Sequence, residues 1–313
     1  MKINMKKNLV AILALAATPA FLHAVDSYSE VVGYSKENLP AGQHFFTPSF
    51  LKAPVYTGTA NLSGKNVSGI SVVGSVGMTT FSDRPNFPTY YLEITSGDYA
   101  GTYYDIDSNT STTLVLKDTP NTSGAVSVVI RPHVTLGDVI KADSGIGEYS
   151  DSIAVYDKTG GFTAYYFAGG VVTGDDFSTE MSHVPVSPGK GVGINTGATL
   201  NVTTQGLVRK GNLKVPVYAG AVNVVGAFNP SQAVKLTALN LATELDAYSD
   251  SVVLYNSTGN LGLIAIAYSD GANVTNDNFD AYTSDSSPSV STKGSMLINP
   301  GVAKYITLPG AVQ

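Results

Sequence analysis

The sequence predicts an all-β protein: two related β-sandwich or barrel-like repeats, the first carrying an inserted small β-barrel module, with little helix. Three observations lead there. One phrase is spelled twice, "EYSDSIAVYDKTGG" at 148–161 and "AYSDSVVLYNSTGN" at 247–260. Apolar and polar residues alternate in many short segments, the period of a strand with one face buried. The composition, with 32 Gly, 18 Tyr, no Cys and only 13% charged residues, suits short strands joined by tight turns.

The chain opens on a leader. "MKINMKKNLVAILALAATPAFLHA" sets Lys2, Lys6 and Lys7 before an apolar run from Leu9 to Leu22. That is the layout of a secretory signal peptide over residues 1–24, cut after Ala24, with Ala20 as the alternative. The run falls short of the roughly 20 residues that span a bilayer. No later stretch is long and apolar enough for a membrane helix, so none is expected in the mature protein. The expected location is secreted, at the outer cell surface, or in the periplasm. Removing the three leader lysines leaves 15 Lys and Arg against 24 Asp and Glu, a formal charge of −9. With three Arg and an acidic surface, nucleic acid is not an expected partner, because phosphate contacts need clustered cations. The absence of Cys excludes disulfides, thiolate metal sites and a Cys nucleophile.

The first repeat is read over residues 25–51 and 133–206, and the second over 207–313. Besides the quoted phrase, "VTLGDVI" (134–140) meets "VKLTALN" (234–240), "GDDF" (174–177) meets "NDNF" (276–279), and "INTG" (194–197) meets "INPG" (298–301). The offsets drift from 99 to 104, as loop insertions between matched strands would make them. "LPAG" (39–42) and "VYAG" (217–220) are 178 apart, which places an insert at 52–132 in the first copy. Ordered matches of this kind are the mark of internal duplication.

Within each copy, "DSIAVYD" and "DSVVLYN" read as strands closed by turn signals, with "GFTAYYFAGG" and "NLGLIAIAYSDG" as hairpin partners. "TLNVTTQG" and "KYITLPG" alternate in the same way. One helix is predicted, over 231–248, where Ser231 follows Pro230 and Val234, Leu236, Leu239 and Leu241 form a partly helical face. Its first-copy counterpart is expected to be one or two turns. The insert reads as six strands, "APVYTGTANLSG", "GISVVGSVG", "TYYLEITSG", "GTYYDIDSN", "STTLVLKDT" and "AVSVVIRP", enough for a small closed barrel whose closure removes exposed edges.

Several phrases carry a resemblance: "VVGYSKENLPAGQHFFTPSF" (31–50), "PVYTGTA" (54–60), "YYLEITSGDYAGTYYDIDSNTSTTLVL" (90–116), "VIRPHVTLGDVI" (129–140), "SPGKGVGINTG" (187–197) and "LKVPVYAGAVNVVGAFNP" (213–230). Across nearly the whole mature chain these resemble a conserved hypothetical family of secreted, β-rich bacterial proteins best represented in Verrucomicrobia. The resemblance implies export and a β-rich fold. It implies no activity, cofactor or catalytic residue.

Chemistry-bearing patterns are sparse. His44, His133 and His183 lack the paired spacing of a zinc site. No G-x-S-x-G elbow holds a serine. Asp175, Asp176, Glu180, Asp277 and Asp280 could be proposed as a glycosidase pair, yet they lie in turn-rich connections where Asx-turns are the default. "DIDSN" opens like a calcium loop, with Asp105, Asp107 and Asn109 as the weak candidate ligands. Thr110 and Leu116 stand where that loop needs Gly and Glu. "GKGVG" (189–193) lacks phosphate-loop spacing.

No catalytic residue and no cofactor is therefore expected. The adjacent tyrosines at 90–91, 103–104 and 165–166 must point to opposite faces of their strands. One of each pair fills a core and the other is displayed, and Tyr91, Tyr104 and Tyr166 are the candidate ligand-binding members. The leading expectation is an exported non-enzymatic surface or extracellular-matrix protein, self-assembling or adhesive. A glycan-binding β module is the alternative, and a secreted hydrolase or an outer-membrane barrel ranks below both.

Overall fold

The computed structural model describes residues 31–313 apart from 82–83, 227–228, 257–260, 293 and 312–313. The signal peptide read over 1–24 lies outside the described residues. The chain begins with β1 (Val32–Leu39) and β2 (Gly42–Phe46). An inserted stretch follows, with β3 (Tyr56–Ser63), β4 (Asn66–Ser68), β5 (Met78–Phe81), β6 (Arg84–Pro88), β7 (Tyr90–Ile94), β8 (Tyr103–Asn109), β9 (Thr113–Leu116) and β10 (Gly124–Pro132). It then returns through β11 (Val134–Thr135), α1 (Leu136–Val139), β12 (Ser152–Tyr156), β13 (Phe162–Ala168), β14 (Val171–Thr173), β15 (Pro185–Val186), β16 (Val192–Thr196) and β17 (Leu200–Leu207). The rest is β18 (Leu213–Val217), β19 (Asn223–Gly226), β20 (Val234–Lys235), α2 (Leu241–Glu244), β21 (Ser251–Tyr255), β22 (Leu263–Ser269), β23 (Val274–Thr275), β24 (Ser289–Val290), β25 (Ser295–Asn299) and β26 (Lys304–Leu308). The protein is all-β.

Six strands of the insert close into a barrel in the order β10-β3-β4-β9-β8-β7. Its apolar side chains point inward: Leu92, Ile94, Ile106, Val128 and Ile130 are fully buried. Each such residue contributes roughly 1.5–3 kcal/mol of transfer free energy. Strands β3 and β10, where the chain enters and leaves, are direct neighbours, with Tyr56 opposite Ile130.

Outside the barrel, two five-stranded sheets run β14-β13-β12-β16-β2 and β23-β22-β21-β25-β19. Each is accompanied by a two-stranded ribbon, β1-β17 and β18-β26, and by a short pair, β11-β15 and β20-β24. Each half has its own apolar core, one around Ile153, Val192 and Val202 and the other around Val252, Met296 and Ile306. Two carboxylates anchor the corresponding corners. Asp151 accepts from the backbone of Gly147 (2.7 Å) and Gly197 (2.9 Å) and from the Thr196 hydroxyl (2.9 Å). Asp250 accepts from the backbone of Asp246 (2.9 Å) and Gly301 (2.7 Å) and from the Lys304 ammonium. These bonds tie each "YSDS" turn to the "INTG" or "INPG" turn across the sheet.

The helix expected over 231–248 is not one helix. Val234 and Lys235 form β20, a 3₁₀ turn covers Leu236–Ala238, and α2 has four residues. The apolar spacing explains this, since Val234 and Leu236 already follow the strand period. Leu239 is extended (φ −96°, ψ 151°). Asn229, not Ser231, organises the start, accepting from the backbone of Ser231 and Gln232. The counterpart, α1, is a single turn with a Thr135–Asp138 capping box. In the barrel, "GISVVGSVG" is not a strand, and β4 takes the sixth place. Gly69 and Gly74 adopt left-handed φ of 74° and 88°, and the Asn109 carboxamide oxygen, not a ladder, receives the backbone N–H groups of Val76 and Gly77.

The two sheets meet at "GKG" (189–191). Gly191 donates to Val224 O (2.9 Å), and Lys190 bridges to Val225. A Cβ on Gly191 would stand 2.5 Å from Val224 Cγ1 and 2.6 Å from Thr47 Oγ1, so only glycine lets the strands come this close.

Candidate functional site

The barrel and both sheet units border a cleft of about 450 Å³, within the range of small-molecule sites. The barrel supplies Tyr103, Tyr104 and Asp105 from β8, with Lys117 and Asp118 beyond β9. The first unit supplies Tyr156 from β12, Thr163 and Tyr165 from β13, and Lys190 at the seam. The second supplies Pro216, Tyr218 and Asn223. Thr163 and Tyr165 share a face because they are two apart on one strand.

Asn223 organises the floor. Its Nδ2 donates to the carbonyls of Tyr218 (2.8 Å), Ala221 (3.0 Å) and Ile298 (3.1 Å), and its Oδ1 accepts from Tyr218 N (2.9 Å). The Lys190 Nζ donates to the same oxygen at 3.3 Å and lies 5.5 Å from the centre of the Tyr218 ring. Burial pushes the Lys190 ammonium down to about 8, because desolvation disfavours the charged form. The phenols go the other way. Burial raises Tyr103 well above its ordinary value, and the Asp105 carboxylate adds to it. Burial also raises Tyr218, reinforced by Asp118 and Asp105, and raises Tyr305 beside Tyr104. The cleft therefore offers aromatic faces and neutral O–H donors beside carboxylate and amide groups.

No family model, no curated protein and no solved structure matches the chain.

The three tyrosines singled out from the sequence are separated. Tyr91 is 1% exposed, packed against His133 (4.9 Å between ring centres) and Tyr103 (5.9 Å). Tyr90, not Tyr91, packs against the barrel core, and Tyr91 is buried on the opposite face of β7 and displays no ring. Tyr104 is also buried, at the edge of the cleft. Tyr166 lies outside the cleft, 4.9 Å from Phe177. Alternation required one inward member per pair, and strand register decided which.

The calcium candidates are not assembled as a ligand set. Asp105 Oδ1 lies 3.1 Å from His133 Nε2, and the Asn109 oxygen is occupied by the Val76 and Gly77 N–H groups at 2.9 and 3.2 Å. Among the described residues, no three His, Asp or Glu side chains gather in metal-binding geometry. Asp176, considered for glycosidase chemistry, closes its own turn. The Thr179 hydroxyl and the backbone of Ser178 and Thr179 hold its carboxyl well below the usual range. Asp157 does the same through Thr159.

Sequence reasoning missed Lys190, Tyr218 and Asn223. The signals were present in the phrases "GKG" and "VYAG", each flanking the seam. Also missed were four strained aromatics. Tyr149 (φ 59°), Phe177 (55°), Tyr248 (61°) and Phe279 (63°) sit in the left-handed region, which costs a side-chain-bearing residue roughly 1–2 kcal/mol. They occupy the repeated "YSD" and "GDDF"/"NDNF" phrases.

Proposed function

We propose that the protein is an exported, non-catalytic surface or extracellular-matrix protein, built of two related units and a barrel insert, that adheres by holding a carbohydrate in the cleft. The observation that carries this reading is the lining of the cleft. Tyr156, Tyr165 and Tyr218 bring rings to a cavity that also holds Asn223, Thr163, Asp105 and Lys190. Sugar rings combine apolar C–H faces with a rim of hydroxyls, so a site for them needs stacking surface together with donors and acceptors. The leader sequence and the resemblance to a secreted family support export.

The test is binding of the mature chain to a polysaccharide and mucin array, followed by calorimetry on hits. Tyr218→Ala and Lys190→Met are expected to weaken binding at least tenfold while the chain still melts cooperatively and no less stably than wild type. A chain that binds no carbohydrate on the array would end this reading.

A second reading, self-association, is favoured by β1. Among the described strands it pairs only with β17, and it exposes Val32 (71%) and Tyr34 (64%). Unpaired strand edges invite pairing with another chain. Sedimentation velocity across a concentration series decides it: a monomer throughout, or an oligomer indifferent to Tyr34→Lys, removes it.

A further inference from the structure

We infer that each sheet unit carries a second carbohydrate contact apart from the cleft, a turn-borne trio of aromatic rings that takes a neutral pyranose. In the first unit, Phe177 lies 5.5 Å from Tyr149 and 4.9 Å from Tyr166 between ring centres. In the second, Phe279 lies 5.2 Å from Tyr248 and 5.3 Å from Tyr268. The trios are built alike. Tyr166 and Tyr268 face Ser152 and Ser251 in the same hairpin register. Tyr149 and Tyr248 donate their backbone N–H to Phe167 O and Ser269 O, both at 2.9 Å.

The backbone makes this arrangement informative. Five non-glycine residues among those described have positive φ, and four of them are these aromatics. Such turns ordinarily take Gly or Asn, which adopt the left-handed region readily. Strain retained at matching positions points to a use for the side chain. Nor are the rings hidden. Tyr149 is 60% exposed, Tyr248 62%, Phe177 37% and Phe279 44%. Rings held by rigid turns present apolar area to a ligand at little ordering cost.

The surroundings select the ligand. The turns at 147–151 and 174–180 carry Glu148, Asp151, Asp175, Asp176 and Glu180, with no Lys or Arg. Those at 246–250 and 276–281 carry Asp246, Asp250, Asp277 and Asp280, and Lys304 is neutralised between Asp246 and Asp250. An anionic glycan would be repelled, whereas a neutral sugar finds ring faces bordered by carboxylates, amides and hydroxyls that accept its O–H groups. Two equivalent trios suit a polymer that repeats one sugar, with the second contact made at high effective concentration.

The experiment is a pull-down of the full mature chain on insoluble neutral polysaccharides (cellulose, chitin, xylan and mixed-linkage glucan) and on alginate and polygalacturonate as anionic controls. It is run on wild type, Tyr149→Gly, Tyr248→Gly, the double variant and the cleft variant Tyr218→Ala. Glycine adopts φ near 60° freely, so the turn variants should melt at or above the wild-type temperature. Binding to a neutral polymer should fall about tenfold in each single variant and about a hundredfold or more in the double, whereas soluble-sugar binding should fall in Tyr218→Ala and persist in the glycine variants. Retention on the anionic polymers alone, or on none, overturns the inference. So do glycine variants that bind normally but melt lower, which would make the rings an internal clasp. Loss of an oligomer in the double variant, without loss of polymer binding, would assign the surface to a second copy and overturn it as well. Failure of Tyr218→Ala to change soluble-sugar binding would fall on the cleft alone.

Discussion

Arg209 and Glu93 form a buried, two-pronged ion pair that fastens the barrel to the segment between β17 and β18. Arg209 Nη1 donates to Glu93 Oε2 at 3.2 Å, and Nη2 donates to Oε1 and to the Asn212 carbonyl (2.9 Å). Arg209 is 1% exposed. Removing one partner leaves the other charged and desolvated, which costs about 3–5 kcal/mol in buried pairs, whereas replacing both by apolar groups is close to neutral. Arg209→Met is expected to lower the denaturation free energy by about that amount, and Arg209→Met with Glu93→Leu to regain most of it. Urea melts of wild type and the two variants check this. A single variant within about 0.5 kcal/mol of wild type would count against a buried pair.

Asp250 gives the second unit an acid-sensitive corner. Burial works to raise its pKa, but the bond from Lys304 and the backbone N–H groups of Asp246 and Gly301 outweigh it and hold the carboxyl below its ordinary value. A depressed pKa adds stability above the unfolded value, about 3.9, that is lost as pH falls through the folded value. Asp250→Asn should be less stable than wild type at pH 7, with the gap closing below about pH 4. Thermal melts between pH 2 and 7 would show it, and a constant gap would refute it.

Lys190 makes the opposite demand at high pH. Its folded pKa is about 8, against about 10.4 in an unfolded chain. Between these values the unfolded state binds more protons, so this group makes stability rise with pH across that window. Lys190→Met removes the rise and should be the more stable protein at neutral pH. Denaturation at pH 7 and pH 10 tests both; equal pH slopes in the two proteins would contradict the assignment.

The seam between the sheets tolerates no side chain at Gly191. A methyl there meets Val224, Thr47 and the Phe46 carbonyl at 2.5–2.9 Å. Overpacking of this kind costs about 1–3 kcal/mol, and Gly191→Ala should melt correspondingly lower. Gly174→Ala, whose nearest atoms lie at 3.5 Å or beyond, is the control and should change little. Matching melts for the two variants would sink the prediction.

How far the sequence could be read depended on the range of the forces involved. Two-residue alternation is local, and it placed β7, β8, β9 and β10 near their observed bounds. "GISVVGSVG" misled because Ile70, Val72 and Val76 are apolar and buried, yet distant groups rather than a ladder take their N–H groups, Ser111 O for Val72 and the Asn109 side chain for Val76. The helix reading at 231–248 failed because Val234 and Leu236 fit two periods and tertiary pairing of β20 with β24 chose one. The site was less legible still. Tyr218, Lys190 and Tyr104 are neighbours only after three modules pack, and whether Tyr91 or Tyr90 faces inward is settled by register against β10.

The adjacency of β3 and β10 has a corollary for engineering. Because the barrel leaves and rejoins its host at a single spot, the surrounding fold has to accommodate only one pair of chain ends there. Any self-contained module with abutting termini could be grafted in its place, provided it offered an acceptor for Arg209. The barrel thus meets the rest of the fold beside its own first and last strands, and it forms one wall of the cleft that the two sheet units complete.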